Sequence, residues 1–333
     1  MKRVCIIYTG GTIGMERTKD GYRPGNEPFS AMMAKISDFS SSELPQYDVI
    51  EFSPLLDSSD MTVNEWNKIG QTIYENRDRY DGFVVLHGTD TMAYTASALS
   101  FILQDLNKPV ILTGSQIPLC EIRSDAKDNL IASMLIAASE EVSEVCLYFA
   151  GKLLRGNRAT KISADGFIAF DSPNYPHLAE VGISIKYREA VLKKKTDKTP
   201  VLNVLTECPV GVIKIFPGIQ IELFETIITE KLSGVVLEAF GAGNVPYYCS
   251  ALKNIIEKAY QNGTIVVACS QCLAGNIKIG TYAASSSLKG AVSGKNMTTE
   301  AAVTKLYYLF SCGYSKEKVR ELMEADLCGE LDE

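Results

Sequence analysis

The sequence predicts an α/β protein built on a parallel sheet. Two observations carry this. Seven short β-branched runs are continuously apolar rather than alternating, the pattern of strands buried on both faces. Helix-length segments follow most of them, and β–α alternation is the signature of helices packed on a parallel sheet. A chain of 333 residues divides into about two domains at ~100–200 residues each.

In chain order, the first strand run is Val4–Tyr8. A helix over Thr62–Arg79 follows, with Asn64 and Glu65 in its first turn and an apolar stripe through Val63, Trp66, Ile69 and Ile73. Phe83–His87 reads as a strand leading into a helix over Thr91–Leu106. Val110–Leu112 precedes a helix over Asp125–Ser139, and Val145–Phe149 is the next strand. Composition then shifts between Tyr187 and Pro209, where Lys193, Lys194 and Lys195 precede Thr196-Asp197-Lys198-Thr199-Pro200. Residues 191–209 are therefore expected to form a linker with an exposed basic turn, separating an N-terminal catalytic domain (1–190) from a smaller C-terminal α/β domain (210–333). In the latter, strands are expected at Val212–Phe216, Val235–Ala239 and Thr264–Cys269, and helices at Gln220–Leu232, Ser250–Asn262 and Thr298–Ser311.

Composition excludes several classes. Hydrophobic residues are 46% of the chain, enough to build a core, so intrinsic disorder is not expected. Lys and Arg number 33 against 40 Asp and Glu, a net charge of −7, so no cationic nucleic-acid footprint is present. The only histidines are His87 and His177, which rules out a His-rich metal site and leaves few bases for a Ser–His–Asp hydrolase. No run approaches the ~18 apolar residues of a membrane span. The apolar run after Met1-Lys2-Arg3 is shorter than the ~7–15 residues of a secretory core. With nine cysteines in no dense framework, free thiols in the cytosol are expected.

Ligands of open α/β sheets bind beyond the carboxyl ends of the strands. Three strand ends here pair glycine with small hydroxyls: Thr9-Gly10-Gly11-Thr12-Ile13-Gly14, Gly88-Thr89-Asp90-Thr91 and Thr113-Gly114-Ser115-Gln116. Glycine lets backbone N–H groups approach a ligand closely. A dinucleotide fingerprint would need glycine at position 9, which is Thr9, and no P-loop pattern occurs. The glycines alone are equally consistent with a tight strand exit. A threonine hydroxyl needs a neighbour to take its proton. Asp90 adjoins Thr89, and Lys161 follows Asn157-Arg158-Ala159-Thr160, so a Thr–Lys–Asp relay can replace histidine chemistry. On spacing alone, Lys161 also reads as a solvated side chain.

The segments at 9–14 and 87–92 together resemble the two signature motifs of bacterial-type L-asparaginases. The resemblance continues through Asp57-Ser58-Ser59-Asp60-Met61, Thr113–Pro118, Gly156–Lys161 and Gly241-Ala242-Gly243-Asn244-Val245-Pro246, covers nearly the whole chain, and is closest to the cytoplasmic type I branch. It implies a larger N-terminal flavodoxin-like parallel sheet flanked by helices. It also implies hydrolysis of L-asparagine to L-aspartate and ammonia with no metal or cofactor. By similarity Thr12 is the nucleophile, Tyr22 its activating partner on a mobile lid, and Thr89, Asp90 and Lys161 the second catalytic set. Asp57, Ser58 and Ser59 would hold the substrate's charged groups, with Gly11, Gly88, Thr89, Asp90 and Ser115 completing the pocket and Asp60 capping the next helix. His87 is expected as a satisfied buried histidine and His177 as a surface loop residue.

The resemblance further places an effector site at Thr160, Ser270, Gln271 and Cys272. Glu238 stands where the family carries an arginine, and a glutamate repels the effector carboxylate an arginine would hold. Cooperative activation by asparagine is thus not expected. Cys269-Ser270-Gln271-Cys272 lacks the second pair that a zinc site needs. Asn244 matches a position that reaches a neighbouring protomer, and the family unit is a homotetramer, a dimer of dimers. Three rivals remain: a broader glutaminase-asparaginase, a non-catalytic amino-acid sensor, and a transfer-RNA amidotransferase subunit. The last carries an added N-terminal domain, for which a motif at residue 9 leaves no room.

Overall fold

The computed structural model describes residues 2–25, 27–246, 250–280, 288 and 290–332, with only the backbone at 250. The chain divides into two compact units, Met1–Asn203 and Val204–Glu333.

In the first unit, β1 (Arg3–Gly10) is followed by the hairpin β2 (Met15–Thr18) and β3 (Gly21–Pro24), then β4 (Gln46–Leu56), β5 (Gly82–Leu86), β6 (Val110–Thr113), β7 (Val145–Phe149) and β8 (Lys152–Arg155). A hairpin of β9 (Ala179–Val181) and β10 (Ile185–Tyr187) completes the eight-stranded sheet, ordered β10-β9-β8-β7-β6-β5-β1-β4. From β4 to β7 all pairings are parallel, whereas β8, β9 and β10 pair antiparallel. With the β2–β3 hairpin set aside, the parallel part has the flavodoxin-like order 2-1-3-4-5. Successive residues of a strand face opposite sides. Ile6 and Ile7, Val84 and Val85, and Ile111 and Leu112 are all fully buried, so both faces of the sheet are covered. This is why the runs read as continuous apolar stretches.

The helices are α1 (Phe29–Ala34), α2 (Val63–Asn76), α3 (Met92–Ile102) and α4 (Ala126–Ala137). Asp60, expected to cap α2, does not. Thr62 and Glu65 form a reciprocal capping box at its start, while Asp57 caps the short 3₁₀ turn Ser58–Asp60. The Thr-x-x-Glu spacing satisfies two orphan N–H groups at once, which a lone aspartate two residues earlier does not.

Residues 193–203 are hydrogen-bonded along the first unit. Lys193 N–H donates to Glu144 at 2.8 Å, Thr196 N–H donates to the Asn107 side chain at 2.8 Å, and Val201–Leu202 pairs with Leu103–Gln104. Lys194 and Lys195 remain exposed.

In the second unit, β11 (Val210–Lys214), β12 (Gly234–Ala239), β13 (Ile265–Ser270) and β14 (Val292–Ser293) form a parallel sheet in that order. It carries α5 (Ser250–Asn262), α6 (Thr299–Ser311) and α7 (Lys316–Met323). The helix expected over Gln220–Leu232 is instead a 3₁₀ turn, Ile221–Phe224, followed by a π turn, Ile227–Lys231. Ile221, Phe224, Ile228 and Leu232 pack on the core at helical spacing, so the apolar stripe is present, but the turns that carry it follow 3₁₀ and π hydrogen bonding rather than one α ladder.

One polar feature stands out in this unit. The Lys305 ammonium on α6 lies 2.6 Å from Glu330, and both side chains are fully buried. Lys305 also donates to the Met323 and Ala325 carbonyls, and Glu330 accepts from the Leu327 and Cys328 N–H groups. The pair ties the carboxyl-terminal turn to α6. Removing one member strands a buried charge, so Lys305→Met should cost about 3–5 kcal/mol of unfolding free energy. A Lys305→Met/Glu330→Leu double variant should recover most of that loss in urea titrations.

Candidate active site

The carboxyl ends of β1 and β5 meet through glycine. Gly11 has φ +88°, and a Cβ there would lie 2.5 Å from the Gly88 nitrogen. A Cβ on Gly88 would in turn lie 2.7 Å from Ser58 Cβ. The turn after β1 thus meets the turn after β5 backbone to backbone, and the latter meets the Ser58 side chain on the turn after β4. Two hydroxyls fasten them: Thr9 Oγ1 donates to the Leu86 carbonyl at 2.8 Å, and Thr91 Oγ1 donates to the Ser58 carbonyl at 2.6 Å. This point is the switch of the sheet, where β1 is flanked by β4 on one side and β5 on the other. Open α/β sheets bind ligands in that crevice.

Thr89, Asp90 and Lys161 come together there. The Lys161 ammonium donates to Thr89 Oγ1 at 3.0 Å and to Asp90 Oδ1 at 2.6 Å. Lys161 sits on the two-residue strand Thr160–Lys161, paired with Phe170–Asp171, and its side chain is 20% exposed. A solvated surface lysine does not describe it. The carboxylate fixes the ammonium, and the ammonium fixes the threonine hydroxyl.

Thr12 begins the 3₁₀ turn Thr12–Gly14, immediately after Gly11, and is half-buried. Tyr22 lies on β3 opposite Arg17 and is 46% exposed. Its hydroxyl donates to Glu121 Oε1 at 3.3 Å. The segment expected to be a mobile lid is a regular hairpin, closed by the two residues Lys19 and Asp20. Asp57 accepts from the Ser59 N–H and hydroxyl, each at 2.9 Å, and these bonds pull its carboxyl below the ordinary range. Ser58 and Ser115 are buried, and Ser59 is exposed.

Three side chains around this cluster were not singled out from the sequence as site residues. Gln116 reaches the Thr89 hydroxyl at 3.4 Å, Asp125 accepts the Gln116 and Ile117 N–H groups, and Glu121 receives the Tyr22 hydroxyl. Only the position of Gln116 beside Gly114-Ser115 at a strand end offered a signal.

His87 is buried and satisfied. Nδ1 is 2.7 Å from the Gly88 carbonyl and Nε2 is 2.9 Å from Thr95 Oγ1, which also accepts from Trp66 Nε1 at 3.1 Å. Burial lowers its pKa to about 4. His177 lies in a loop, as expected, but not at the open surface. It is half-buried and bonds Asp171 Oδ1 at 2.8 Å, beside Lys152. Polar partners on the neighbouring strands draw it inward.

In the second unit, Glu238 accepts from Thr299 Oγ1 at 2.7 Å and lies 3.9 Å from the Lys214 ammonium. Gln271 donates to the Ile215 carbonyl at 2.5 Å and to that of Glu238 at 2.8 Å, and Ser270 Oγ donates to the Gly241 carbonyl at 2.7 Å. Asn244 closes a tight turn against Phe240. Cys269 and Cys272 are both free thiols. Cys269 is buried inside β13, which pushes its thiol up to about 12, while Cys272 is exposed. A redox pair would require the opposite shift. Among the described residues, no group of three or more His, Cys, Asp or Glu side chains is placed to hold a metal ion.

Fold and cluster define a class: an α/β protein with a threonine–ammonium–carboxylate centre at the switch point of a flavodoxin-like sheet. Comparison with known proteins narrows this. The family described as "Asparaginase, N-terminal" matches residues 3–193, and "Glutaminase/Asparaginase C-terminal domain" matches residues 209–323. The chain is 43% identical over 332 residues to L-asparaginase 1 of Escherichia coli K12, covering 99% of this chain and 98% of that protein. It is 40% identical to a 60 kDa lysophospholipase of Mus musculus, covering 99% of this chain and 62% of that protein. The crystal structure of L-asparaginase I from Vibrio cholerae superposes with a TM-score of 0.92 at 44% identity, covering 99% of both chains. The chain belongs to the asparaginase family.

Two measurements check the electrostatics. Thiol alkylation at mildly alkaline pH should modify Cys272 and spare Cys269, as read by peptide mass spectrometry. The unfolded chain protonates His87 below about pH 6.5, whereas the folded protein holds it neutral to about pH 4. Stability should therefore fall as pH drops through that window, and a His87→Gln variant should show a shallower fall in its urea midpoint.

Proposed function

We propose that the protein hydrolyses the side-chain amide of L-asparagine to L-aspartate and ammonia through a threonine acyl-enzyme, without metal or cofactor. The observation that carries this is the Lys161–Thr89–Asp90 cluster at the sheet switch, with Thr12 on the turn whose Gly11 abuts Gly88. Thr12 Oγ attacks the amide carbon as Tyr22 takes its proton and passes its own hydroxyl hydrogen to Glu121, the acceptor it already faces. That hydrogen returns through Tyr22 to the departing nitrogen, and the ammonia takes a further proton from the Lys161 ammonium, so the aspartyl ester remains on Thr12 and the lysine is left neutral. Water then attacks the ester. A neutral Lys161 amine removes a proton from Thr89 or from that water, and Asp90 faces the ammonium so formed. Backbone N–H groups near Gly11 and Thr89 stabilise the oxyanion, each worth ~2.7–4 kcal/mol of barrier.

Asp57, Ser58, Ser59 and Ser115 hold the substrate's polar groups, with Gly88 letting the chain approach it. Glutamine is longer by one methylene, a difference worth about 1–3 kcal/mol, so some glutaminase activity accompanies the main one. Glu238 already accepts a hydrogen bond from Thr299, so Thr160, Ser270, Gln271 and Cys272 do not make an asparagine-activated site. The working unit is a cytoplasmic homotetramer to which Asn244 contributes across an interface, with neither nucleic acid nor membrane as partner. Supporting assembly, Leu135, Phe167 and Ile183 line an open cavity of about 620 Å³ on the first unit, and Ile183 is fully exposed. Exposed apolar patches of this kind mark contact surfaces.

Ammonia release from asparagine and glutamine, measured side by side, tests the reading. The expected result is a hyperbolic rate curve that favours asparagine. Asparagine binding without ammonia release makes the protein a sensor instead. Thr12→Ala, Thr89→Val and Lys161→Met should each lose on the order of 10³-fold or more in kcat while remaining folded.

A further inference from the structure

Lys161 as an ammonium donates to Thr89 Oγ1, so the hydroxyl's own hydrogen must point elsewhere. Gln116 Oε1 lies 3.4 Å from Thr89 Oγ1. The orientation of the Gln116 amide is fixed, because its nitrogen end faces two carbonyl oxygens. Nε2 donates to Gly166 at 3.0 Å and to Ala164 at 3.3 Å, and carbonyls only accept. Its backbone is equally constrained: the Gln116 N–H donates to the Asp125 carboxylate at 3.0 Å, and Asn129 bonds both that carboxylate and the Gly114 carbonyl. The carbonyls it holds belong to the loop that joins the Thr160–Lys161 strand to Phe170–Asp171.

We infer that Gln116 is a positioning residue for the amide hydrolysis: its carboxamide accepts the Thr89 hydroxyl hydrogen and clamps the loop that carries Lys161. One side chain thereby sets both partners of the proton transfer. With the hydrogen held on Gln116, the Thr89 lone pair faces Lys161. Once Lys161 has yielded a proton to the departing ammonia, rotation about the Cβ–Oγ1 bond swings the hydrogen from Gln116 to Nζ. The 3.4 Å separation is long, as hydrogen bonds at catalytic centres often are before substrate binds. The inference rests on the proposed hydrolysis, in which Thr89 and Lys161 move the proton.

Steady-state kinetics with asparagine on the full-length protein test it. Gln116→Leu removes both ends of the clamp and should lower kcat about tenfold to hundredfold, with KM changed less than about threefold, because a misplaced catalytic group costs rate rather than binding. Gln116→Glu keeps the acceptor but sets an ionised oxygen against the Ala164 and Gly166 carbonyls. Protonation restores a donor, so its rate relative to wild type should rise as pH falls. A Gln116→Leu kcat within twofold of wild type overturns the inference, as does an effect confined to KM. If that variant does not fold, the Gln116→Glu ratio decides, and a ratio independent of pH overturns it. Failure of the underlying reading looks different: wild type releases no ammonia, or Lys161→Met keeps full turnover, and the inference falls with it.

Discussion

The site exists because two glycines allow three turns to touch. Had residue 11 or residue 88 a side chain, its first carbon would occupy the backbone of one neighbour or the side chain of another. Nothing softer yields at Gly11, since the obstruction is the Gly88 backbone itself. The contact draws the turn after β1 onto the turn after β5, and with it Thr12 towards Thr89. Everything chemical depends on that closeness. A threonine hydroxyl is a weak nucleophile, and only neighbours held at hydrogen-bond range make it useful. The sheet supplies the rest, because its strand order parts at β1 and opens a crevice there.

Around this point the protein uses polar groups sparingly and ties each one down. Lys161 is held by Asp90, Gln116 by Asp125 and two carbonyls, and Asp57 by Ser59. His87, which invites a catalytic role by its place in the motif, is spent on the Gly88 carbonyl and Thr95. Its neutrality follows from burial. Rigid side chains on turns that cannot separate are what preorganised catalysis requires.

Much of the fold was legible because burial on both faces leaves unbroken apolar runs. All seven expected strands are present, and the ends of the first two lead into Thr12 and into Thr89 and Asp90. Elements exposed on one side escaped notice. β4 mixes Gln46, Asp48, Glu51 and Ser53 with its apolar residues, since it lies at the sheet edge, and the β2–β3 hairpin is largely exposed and has no apolar run. The segment at 220–232 has the apolar stripe of a helix, yet its turns follow 3₁₀ and then π hydrogen bonding, a difference that apolar spacing does not encode. In the site, motif residues were legible because glycine beside small hydroxyls is unusual at three strand ends. Long-range partners were not. Nothing in local spacing links Gln116 to residues 164 and 166, or Tyr22 to Glu121, because those contacts are made by the topology.

In the proposed hydrolysis the two threonines do different work: Thr12 carries the acyl group, and Thr89 with Lys161 removes it. A Lys161→Met variant mixed with asparagine, quenched within milliseconds and digested for mass spectrometry, examines that division directly. The account predicts an aspartyl ester that accumulates on Thr12, since its hydrolysis is impaired. An ester on Thr89, or ammonia released with no ester on either threonine, would contradict it.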